Sequence, residues 1–292
     1  MNEADFLALL RPLATHPAAR GFADDAAVLG DLVITHDMLV EGVHYLPGDP
    51  PEDVAWKLLA VNLSDLAAKG ASPVGVLMGY TLSGNACWDR AFIAGLGVAL
   101  AHFAMPLLGG DTVANPSAPR VLSLTAIGRS ASAPSRSGAL ADDALYVTGT
   151  IGMAGLGLAE LRRDPTCGGA NVARYRRPIP RLSDGQTLAP VVHAMMDVSD
   201  GLLIDAQRMA AASNLALEIS IQTVPVVGDA LSAMTAGDDY ELLFAAPTGL
   251  ELPISATRIG TFAPGTGLTL RDSSGRVPLP DRLGWLHQTP AQ

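Results

Sequence analysis

Aromatic side chains and positive charges are scarce in this sequence. Aromatic residues make up 5% of the 292 residues, whereas hydrophobic residues as a whole make up 49%, so the core must rest on aliphatic side chains. The chain has 19 lysines and arginines against 29 acids, which gives a formal net charge of -10. This balance argues against binding nucleic acid through a basic surface, and an anionic substrate would need metal ions or a few local cations.

Cysteines and membrane-spanning patterns are equally sparse. Cys87 and Cys167 lie outside any CxxC spacing, which favours free thiols in a reducing cytoplasm over a metal site. The start, MNEADFLALLRPL, has no basic region followed by a long apolar run, so a signal peptide is not expected. The most apolar window, residues 92–109, includes His102 and Pro106 and predicts a buried helix and a strand rather than a membrane span. We therefore expect a cytoplasmic protein without a nucleic-acid or membrane partner.

Three common catalytic signatures are missing. The glycine-rich run Thr148–Gly157 has the spacing GxxGxxGxG, which does not match the dinucleotide-binding GxGxxG. No GxxxxGK[ST] phosphate loop occurs, and neither Ser64 nor Ser199 stands in a GxSxG nucleophile elbow. Dinucleotide binding of the Rossmann type, a Walker phosphate loop and a serine nucleophile are therefore not expected.

Length predicts about two domains, and a segment rich in Ser, Ala and Pro, Ser130–Gly138, is the best linker between them. Apolar periodicity and turn residues predict the elements on either side. In the first half these are strands Ala26–Leu29, Leu32–Thr35, Pro73–Leu82, Pro106–Leu108 and Val121–Ile127, with helices Pro51–Gly70 and Ala86–Phe103. In the second half they include strand Ala144–Thr148, a mobile loop at Asp164–Ala170, helix Leu202–Ala212 and strand Leu215–Ile221.

The stretch Met195–Asp205, which reads MMDVSDGLLID, places Asp197 and Asp200 where a buried strand passes into a helix. A Ser-Asp pair also occurs earlier, at Ser64 and Asp65 inside a helical pattern. The two occurrences suggest that both halves of the chain contribute acids to one site.

Nine acids in short motifs lie beside glycine or at the end of apolar runs, where loops present side chains on a rigid scaffold. Carboxylates of this kind suit Mg²⁺, which bridges protein oxygens and substrate phosphates. Any single motif could be an ordinary turn, but all of them together favour a metal site. The nine acids are Asp24, Asp25, Asp37, Asp65, Asp111, Asp197, Asp200, Asp238 and Asp239.

Several of these residues have structural explanations that the sequence leaves open. Asp65 could form a surface ion pair with Lys69 four residues on. Asp238 and the acid after it could cap a turn, and His44 could be structural or contact a ligand. Arg136 could meet a phosphate or simply be solvated.

Eight segments together resemble one family in content and order. They are GFADDAAVL, THDMLVEGVHYLP, KLLAVNLSDLAAKGASP, LLGGDTV, LYVTGTIG, RYRRPIPR, MDVSDGLLID and AGDDYELLF. The chain resembles the thiamine-monophosphate kinases, which belong to the aminoimidazole-ribonucleotide-synthetase-like ATP-binding superfamily. The resemblance runs from about Gly21 to Trp285.

The resemblance implies an α+β N-terminal domain, residues 1–133, which binds ATP and Mg²⁺ and forms a homodimer. It implies an α/β C-terminal domain, residues 134–292, which completes the nucleotide and substrate site. The implied activity is direct transfer of the γ-phosphoryl group of ATP to thiamine monophosphate, which gives thiamine diphosphate. Because a phosphate acceptor is already ionised, no residue is assigned as a general acid or base.

The same resemblance implies a role for each residue that matches a family motif. Several Mg²⁺ ions would be held by Asp25, Thr35, His36, Asp37, Asp65, Asp111, Asp197 and Asp200. ATP would contact Gly110, Asp111, Arg136 and Ser199. Thiamine monophosphate would contact His44, Asp238 and Trp285.

Four positions depart from the family pattern. His36 replaces a threonine that helps to hold a metal, Ala236 replaces a glycine, Asp238 replaces a glutamate, and Lys69 replaces a methionine. The alternatives that remain are another enzyme of the superfamily, such as an aminoimidazole ribonucleotide or selenophosphate synthetase, and a nucleotide-binding scaffold without turnover.

Overall fold

Two β-sheets, each packed against helices, organise the chain in the computed structural model, which describes residues 3–82, 84–115 and 119–287. The first sheet has the strand order β1-β2-β5-β3-β4. Its strands are β1 (Ala27–Leu29), β2 (Leu32–Val40), β3 (Ser72–Leu82), β4 (Leu107–Ala114) and β5 (Val121–Arg129). The helices of this half are α1 (Glu3–Leu10), α2 (Pro51–Ala68) and α3 (Ala86–His102).

The second sheet has the order β12-β11-β8-β10-β6-β9-β7, in which β8 and β11 are parallel and the other neighbours antiparallel. Its strands are β6 (Ala144–Val147), β7 (Ala194–Asp197), β8 (Leu215–Ser220), β9 (Leu242–Ala246), β10 (Thr257–Pro264), β11 (Gly267–Asp272) and β12 (Gly275–Val277). The helices are α4 (Met153–Arg163), α5 (Ala170–Arg176), α6 (Leu182–Leu188), α7 (Leu202–Ala212) and α8 (Ala230–Met234).

Helix α2 is the element that joins the two halves. Pro51 stands in its first turn beside Glu52 and Asp53, which suit the positive end of the helix dipole, and Gly70 follows its end with φ +57°. Most of its side chains are buried, because it packs on β2 and β5 as well as on α6 and β7. Near its C-terminus, Ala67 and Ala68 share one apolar cluster with residues of the second sheet such as Phe244.

The first sheet buries one face and exposes the other. Along β5, Leu122, Leu124 and Ala126 are fully buried, whereas the residues between them are partly accessible. On the opposite side lies an apolar surface, which we call the open face and define by three exposed side chains. These are Met38 (47%), Leu77 (41%) and Leu108 (55%).

Several predicted elements are confirmed, and three regions differ from the prediction. Strand β2 was predicted to end at Thr35 but continues to Val40, because its backbone pairs with β5 over that whole length. The window 92–109 forms the end of α3 and the start of β4, and within the described ranges no helix is long and apolar enough to cross a membrane. Strand β4 was predicted to end at Leu108 but continues to Ala114, because its backbone pairs in parallel with β3 through Gly110 and beyond. Helices α5 and α6 were not predicted, since both are short and the segment between them is rich in Arg and Pro.

Replacing Phe92 by alanine tests the core between α3 and the first sheet. Phe92 is fully buried, and its ring centroid lies 5.1 Å from that of Tyr80 and 5.4 Å from that of Trp88. Phe92→Ala should lower the free energy of unfolding by about 3–5 kcal/mol, because it removes apolar contacts and leaves a cavity. Urea denaturation followed by circular dichroism measures this loss.

Ile93→Ala is the matched control on the same helix, because Ile93 is 61% exposed. Its unfolding free energy should change by only about 0.5 kcal/mol. Equal losses for the two variants would contradict the packing described here.

Candidate active site

Three carboxylates from distant parts of the chain converge at one point. We call Asp25, Asp65 and Asp197 the acidic cluster, and one oxygen of each lies within 4.8 Å of the others. Asp25 comes just before β1, Asp65 lies on α2 and Asp197 ends β7. The first two belong to the half with the first sheet and the third to the half with the second sheet, so the cluster forms only when α2 packs against β7.

Hydroxyl groups orient two members of the cluster. Ser64 Oγ on α2 donates a hydrogen bond to Asp197 Oδ2 at 2.5 Å, and Thr35 Oγ1 on β2 donates to Asp65 Oδ2. Thr35 and Ser64 are 4% and 0% exposed, so neither bond is open to solvent. Ser64 on α2 therefore reaches the last residue of β7, two residues before the Ser-Asp pair at Ser199 and Asp200.

Asp37 borders the acidic cluster from β2. Its backbone N–H donates to Oδ1 of the buried Asn62 at 3.0 Å, which ties β2 to α2. Burial raises the pKa of Asp37 to about 6, and the charges of Asp200 and Asp25 add to the shift. The charges of Asp200 and Asp25 therefore disfavour ionisation of Asp37.

The other carboxylates crowd one another in the same way. Burial raises the pKa of Asp65 well above its usual value, and the neighbouring carboxylates add to the effect. Burial also raises the pKa of Asp197, with a further contribution from Asp25. Anions that repel one another in a poorly solvated place would be stabilised by a divalent cation.

Asp25 differs because protein cations surround it. Its burial opposes ionisation, but the charges of Lys69 and Arg136 together outweigh that effect and lower its pKa to about 2. Arg136 Nη2 donates to Asp25 Oδ1. Asp25 Oδ2 is buried and accepts no hydrogen bond of good geometry from the described residues, although Lys69 Nζ lies 2.8 Å away. The three carboxylates together form a hard oxygen donor set, which suits a divalent metal ion.

Two alternatives from the sequence are thereby settled for this chain. Arg136 is held in the site by its ion pair with Asp25 rather than solvated. Lys69 forms ion pairs with Asp24 and Asp25, while the carboxylate of Asp65 accepts from a hydroxyl group. The pair of helix neighbours that the sequence left open is thus replaced by contacts across elements.

The loop between β7 and α7 is held by an acid that sequence reasoning missed. Asp205 Oδ2 accepts hydrogen bonds from the backbone N–H groups of Ser199, Asp200 and Gly201 at 3.1, 3.1 and 3.2 Å. Arg208 Nη1 donates to Asp200 and, at 2.9 Å, to Asp205. An acid in the first turn of the helix after VSDG is the signal that could have revealed it. Asp205 fixes the position of Ser199 and Asp200, both predicted site residues.

The residues predicted to contact the second substrate lie around a buried lysine. Lys57 Nζ, on α2, donates to Asp238 Oδ2 at 2.8 Å and to the carbonyl of His44 at 3.0 Å. Tyr240 Oη donates to Asp238 Oδ1 at 3.0 Å. Asp238 lies before β9 with a left-handed φ of +62°, a conformation that residues other than glycine rarely adopt. Neither Lys57 nor Tyr240 was singled out from the sequence.

Trp285 connects this region to the acidic side of the site. Its backbone N–H donates to the carbonyl of Asp200 at 2.8 Å, and its indole is 49% exposed. The ring of His287 lies 6.1 Å from that of Trp285 and 5.3 Å from that of His44. Trp285 and Asp238 therefore flank the loop that carries Ser199 and Asp200, because the backbone N–H of Asp238 donates to the carbonyl of Ser199 at 2.8 Å.

Three predicted residues are not joined to the acidic cluster in one chain. The strand alternation that buries Thr35 and directs Asp37 inward exposes His36, whose Nδ1 lies 2.8 Å from Thr125 Oγ1. The side chain of His36 therefore lies outside the acidic cluster of its own chain, contrary to the metal-binding role expected from the sequence. Gly110 and Asp111 lie on the exposed edge strand β4, three strands from β2 in the sheet order. Since neighbouring strands are about 4.8 Å apart, Asp111 is roughly 14 Å from β2.

Family models define the class of protein to which this fold and site belong. The N-terminal domain of AIR synthase related proteins matches residues 23–130, and the C-terminal domain of the same proteins matches residues 141–272. The chain is therefore an AIR synthase related protein, and the two-part architecture expected from the sequence is confirmed.

Individual relatives narrow the class. Thiamine-monophosphate kinase of Caulobacter vibrioides is 37% identical over 321 residues, which cover 98% of this chain and 91% of that protein. The Escherichia coli K12 protein of the same name is 37% identical over 249 residues, or 78% and 76% of the two chains. The structure of AaThiL complexed with AMPPCP and TMP has a TM-score of 0.87 and 27% identity, and covers 98% of this chain and 97% of that one. The chain belongs to the thiamine-monophosphate kinase family.

Asp205→Asn tests whether Asp205 holds the loop between β7 and α7. An amide can accept from the backbone N–H groups only by directing its NH₂ group at Arg208, so one side of the residue loses its partner. We expect the free energy of unfolding to fall by about 1–3 kcal/mol. Amide hydrogen exchange at residues 199–201 should accelerate at the same time.

The control is Asp229→Asn, because Asp229 caps the exposed start of α8 through a bond to the N–H of Ser232 and asparagine caps equally well. Protection at residues 199–201 that is unchanged in Asp205→Asn would show that the loop is held by other contacts.

Proposed function

We propose that this protein transfers the terminal phosphoryl group of ATP to thiamine monophosphate and so produces thiamine diphosphate. The observation that carries the proposal is the convergence of buried carboxylates from both halves of the chain, beside Arg136, in a member of the thiamine-monophosphate kinase family. The related AaThiL structure holds AMPPCP and TMP together, which supports both ATP and thiamine monophosphate as substrates here.

The residues present fit several Mg²⁺ ions. Asp25, Asp65 and Asp197 would hold them, with Asp37 and Asp200 at the border of the cluster. Bound Mg²⁺ would neutralise the phosphate oxygens and allow two anionic substrates to approach each other. The raised pKa values of Asp65 and Asp197 support this assignment, because their causes are burial and mutual repulsion, which a cation relieves.

The chain's own residues would position and shield the reacting groups. Arg136, whose side chain is 18% exposed and already directed at Asp25, supplies a fixed positive charge near the phosphates. The loop held by Asp205 presents Ser199 and Asp200 from the other side. The phosphate of thiamine monophosphate is ionised at neutral pH, so the transfer requires no strong general base, and we expect direct in-line transfer without a phosphoenzyme.

The far end of the site suits the thiamine part of the substrate. Thiamine carries a positively charged thiazolium ring, which a carboxylate and an aromatic face both attract. Asp238 and the exposed Trp285 supply these two features, and Lys57 joins Asp238 to the carbonyl of His44. Lys57 and Tyr240 hold Asp238 in place, so they would position the substrate rather than react.

A homodimer through the open face would explain the place of Asp111. Met38, Leu77 and Leu108 form an exposed apolar surface of the kind that marks a protein interface. If two copies stack their open faces about a two-fold axis parallel to the strands, β4 of one copy lies over the β2 side of the other. The partner would then bring the GGD segment at residues 109–111 over the β2 side of the sheet, which the same segment cannot reach in its own chain.

Asp197→Asn tests the proposed activity. The variant keeps the size of the side chain but removes one of the charges that would hold Mg²⁺, so ADP formation with ATP, Mg²⁺ and thiamine monophosphate should fall by at least about a hundredfold. Glu218→Gln is the control, since Glu218 forms an exposed pair with Arg271 on the second sheet and should retain full turnover. Turnover of Asp197→Asn within tenfold of the unmodified protein would refute the assignment.

Mixing two inactive variants tests whether Asp111 acts across the dimer. Asp111→Asn and Asp197→Asn should each be inactive, and subunit exchange should restore up to about a quarter of full activity, because half of the dimers then contain one intact site. The control mixes Asp65→Asn with Asp197→Asn, which share one cluster and should stay inactive. Full activity of Asp111→Asn alone, or no recovery despite mixed dimers shown by differential tags, would exclude a role across the interface.

A further inference from the structure

The ammonium group of Lys69 is surrounded by oxygen in the manner of a bound cation. Its Nζ lies 2.5 Å from Asp24 Oδ1 and 2.8 Å from Asp25 Oδ2. It also donates hydrogen bonds to the carbonyl oxygens of Met195 at 2.9 Å and Pro134 at 3.2 Å. Two carboxylate and two carbonyl oxygens thus enclose one positive charge, and these are the ligand types that hard cations take in proteins.

The surroundings of Lys69 show that this charge is internal to the site. The side chain is completely inaccessible to solvent, and Asp24 and Asp25 expose only 2% and 4% of their side chains. An unpaired ammonium group in such a place would be strongly disfavoured, so its stability depends on the two carboxylates. Asp25 in turn belongs to the acidic cluster, which places the ammonium group beside the proposed metal ligands.

Four segments of the chain meet at this ammonium group. It originates just after α2, contacts the residues before β1, and bonds to carbonyls in the linker and in β7. One positive charge therefore connects the two halves of the chain at the site.

We propose that Lys69 is a resident cation of the active site, occupying a position beside Asp25 that a metal ion would otherwise take. This inference rests on the proposed metal-dependent function. Asp25 then has one oxygen paired with Arg136 and the other facing Lys69, so divalent ions are confined to the side of the cluster formed by Asp65 and Asp197. Lys69 acts by positioning Asp25 and limiting the number of ions bound.

Lys69→Met is the direct test, read out by Mn²⁺ binding without substrates. Methionine matches the stem of lysine but lacks the final charged atom, so it leaves the oxygen cage without its cation. We expect one more Mn²⁺ per chain than in the unmodified protein, counted by electron paramagnetic resonance and calorimetry, with at least about tenfold tighter overall binding. The metal-free variant should have a lower melting temperature, and Mn²⁺ should raise it by more than in the unmodified protein.

Two controls separate charge from packing. Lys57→Met removes a lysine that is also buried but lies within α2 and is paired with Asp238, and it should leave the Mn²⁺ count unchanged. Lys69→Arg keeps the charge in a larger side chain and should also keep the original count. An extra ion in either control would attribute the effect to loosened packing and overturn the proposal.

The remaining outcomes are equally decisive. Lys69→Met that binds the same number of Mn²⁺ ions as the unmodified protein, or that stays unfolded at saturating Mn²⁺, would show that the cage does not accept a free cation. Asp65→Asn in the same assay reports on the proposed function instead. If it binds as many ions as the unmodified protein, the acidic cluster is not the metal site, whatever Lys69→Met shows.

Discussion

The mutual repulsion of buried carboxylates is the constraint on which the rest of this structure depends. Asp25, Asp65 and Asp197 come within 4.8 Å of one another in a place with little solvent. Such an arrangement persists only where positive charge or hydrogen-bond donors offset the repulsion. Arg136 and Lys69 offset the charge of Asp25. Among the described residues, hydroxyl groups donate hydrogen bonds to Asp65 and Asp197. The negative charge of Asp65 and Asp197 is therefore left for a bound cation to neutralise. This makes the cluster suitable for metal and phosphate chemistry.

Helix α2 meets this constraint by serving both halves of the chain. Its last turns carry Ser64 and Asp65, and Lys69 follows directly after its end, so one rigid element supplies a donor, an acid and a cation to the same point. The alanines beside them pack against the second sheet, which keeps that sheet close enough for Ser64 to reach Asp197. The apolar packing of α2 and the polar chemistry of the site are therefore parts of one arrangement, and a shift of this helix would disturb both.

One chain does not complete the arrangement that the family pattern implies. The edge strand β4 places Asp111 roughly 14 Å from β2, because three strand spacings separate them. The same sheet leaves Met38, Leu77 and Leu108 exposed on its open face. A second copy stacked on the open face would account for both features. It would bury the exposed apolar side chains and bring an additional acid to the site. The dimer and the site are, on this proposal, a single structural requirement.

Local patterns in the sequence determined which residues belong to which element and which of them were candidates for chemistry. The period of two in β2, the proline and acids that start α2, and the passage from strand to helix around Asp197 are properties of neighbouring residues, so they could be predicted from the sequence. The tertiary structure decided the partners. Lys69 bonds with Asp24 and Asp25 instead of its helix neighbour Asp65, His36 faces away from Thr35, and Lys57 and Asp205 have structural roles that no motif indicated. The physical reason is that an ion pair or hydrogen bond depends on which surfaces pack together, and packing between distant segments is not encoded in the spacing of adjacent residues.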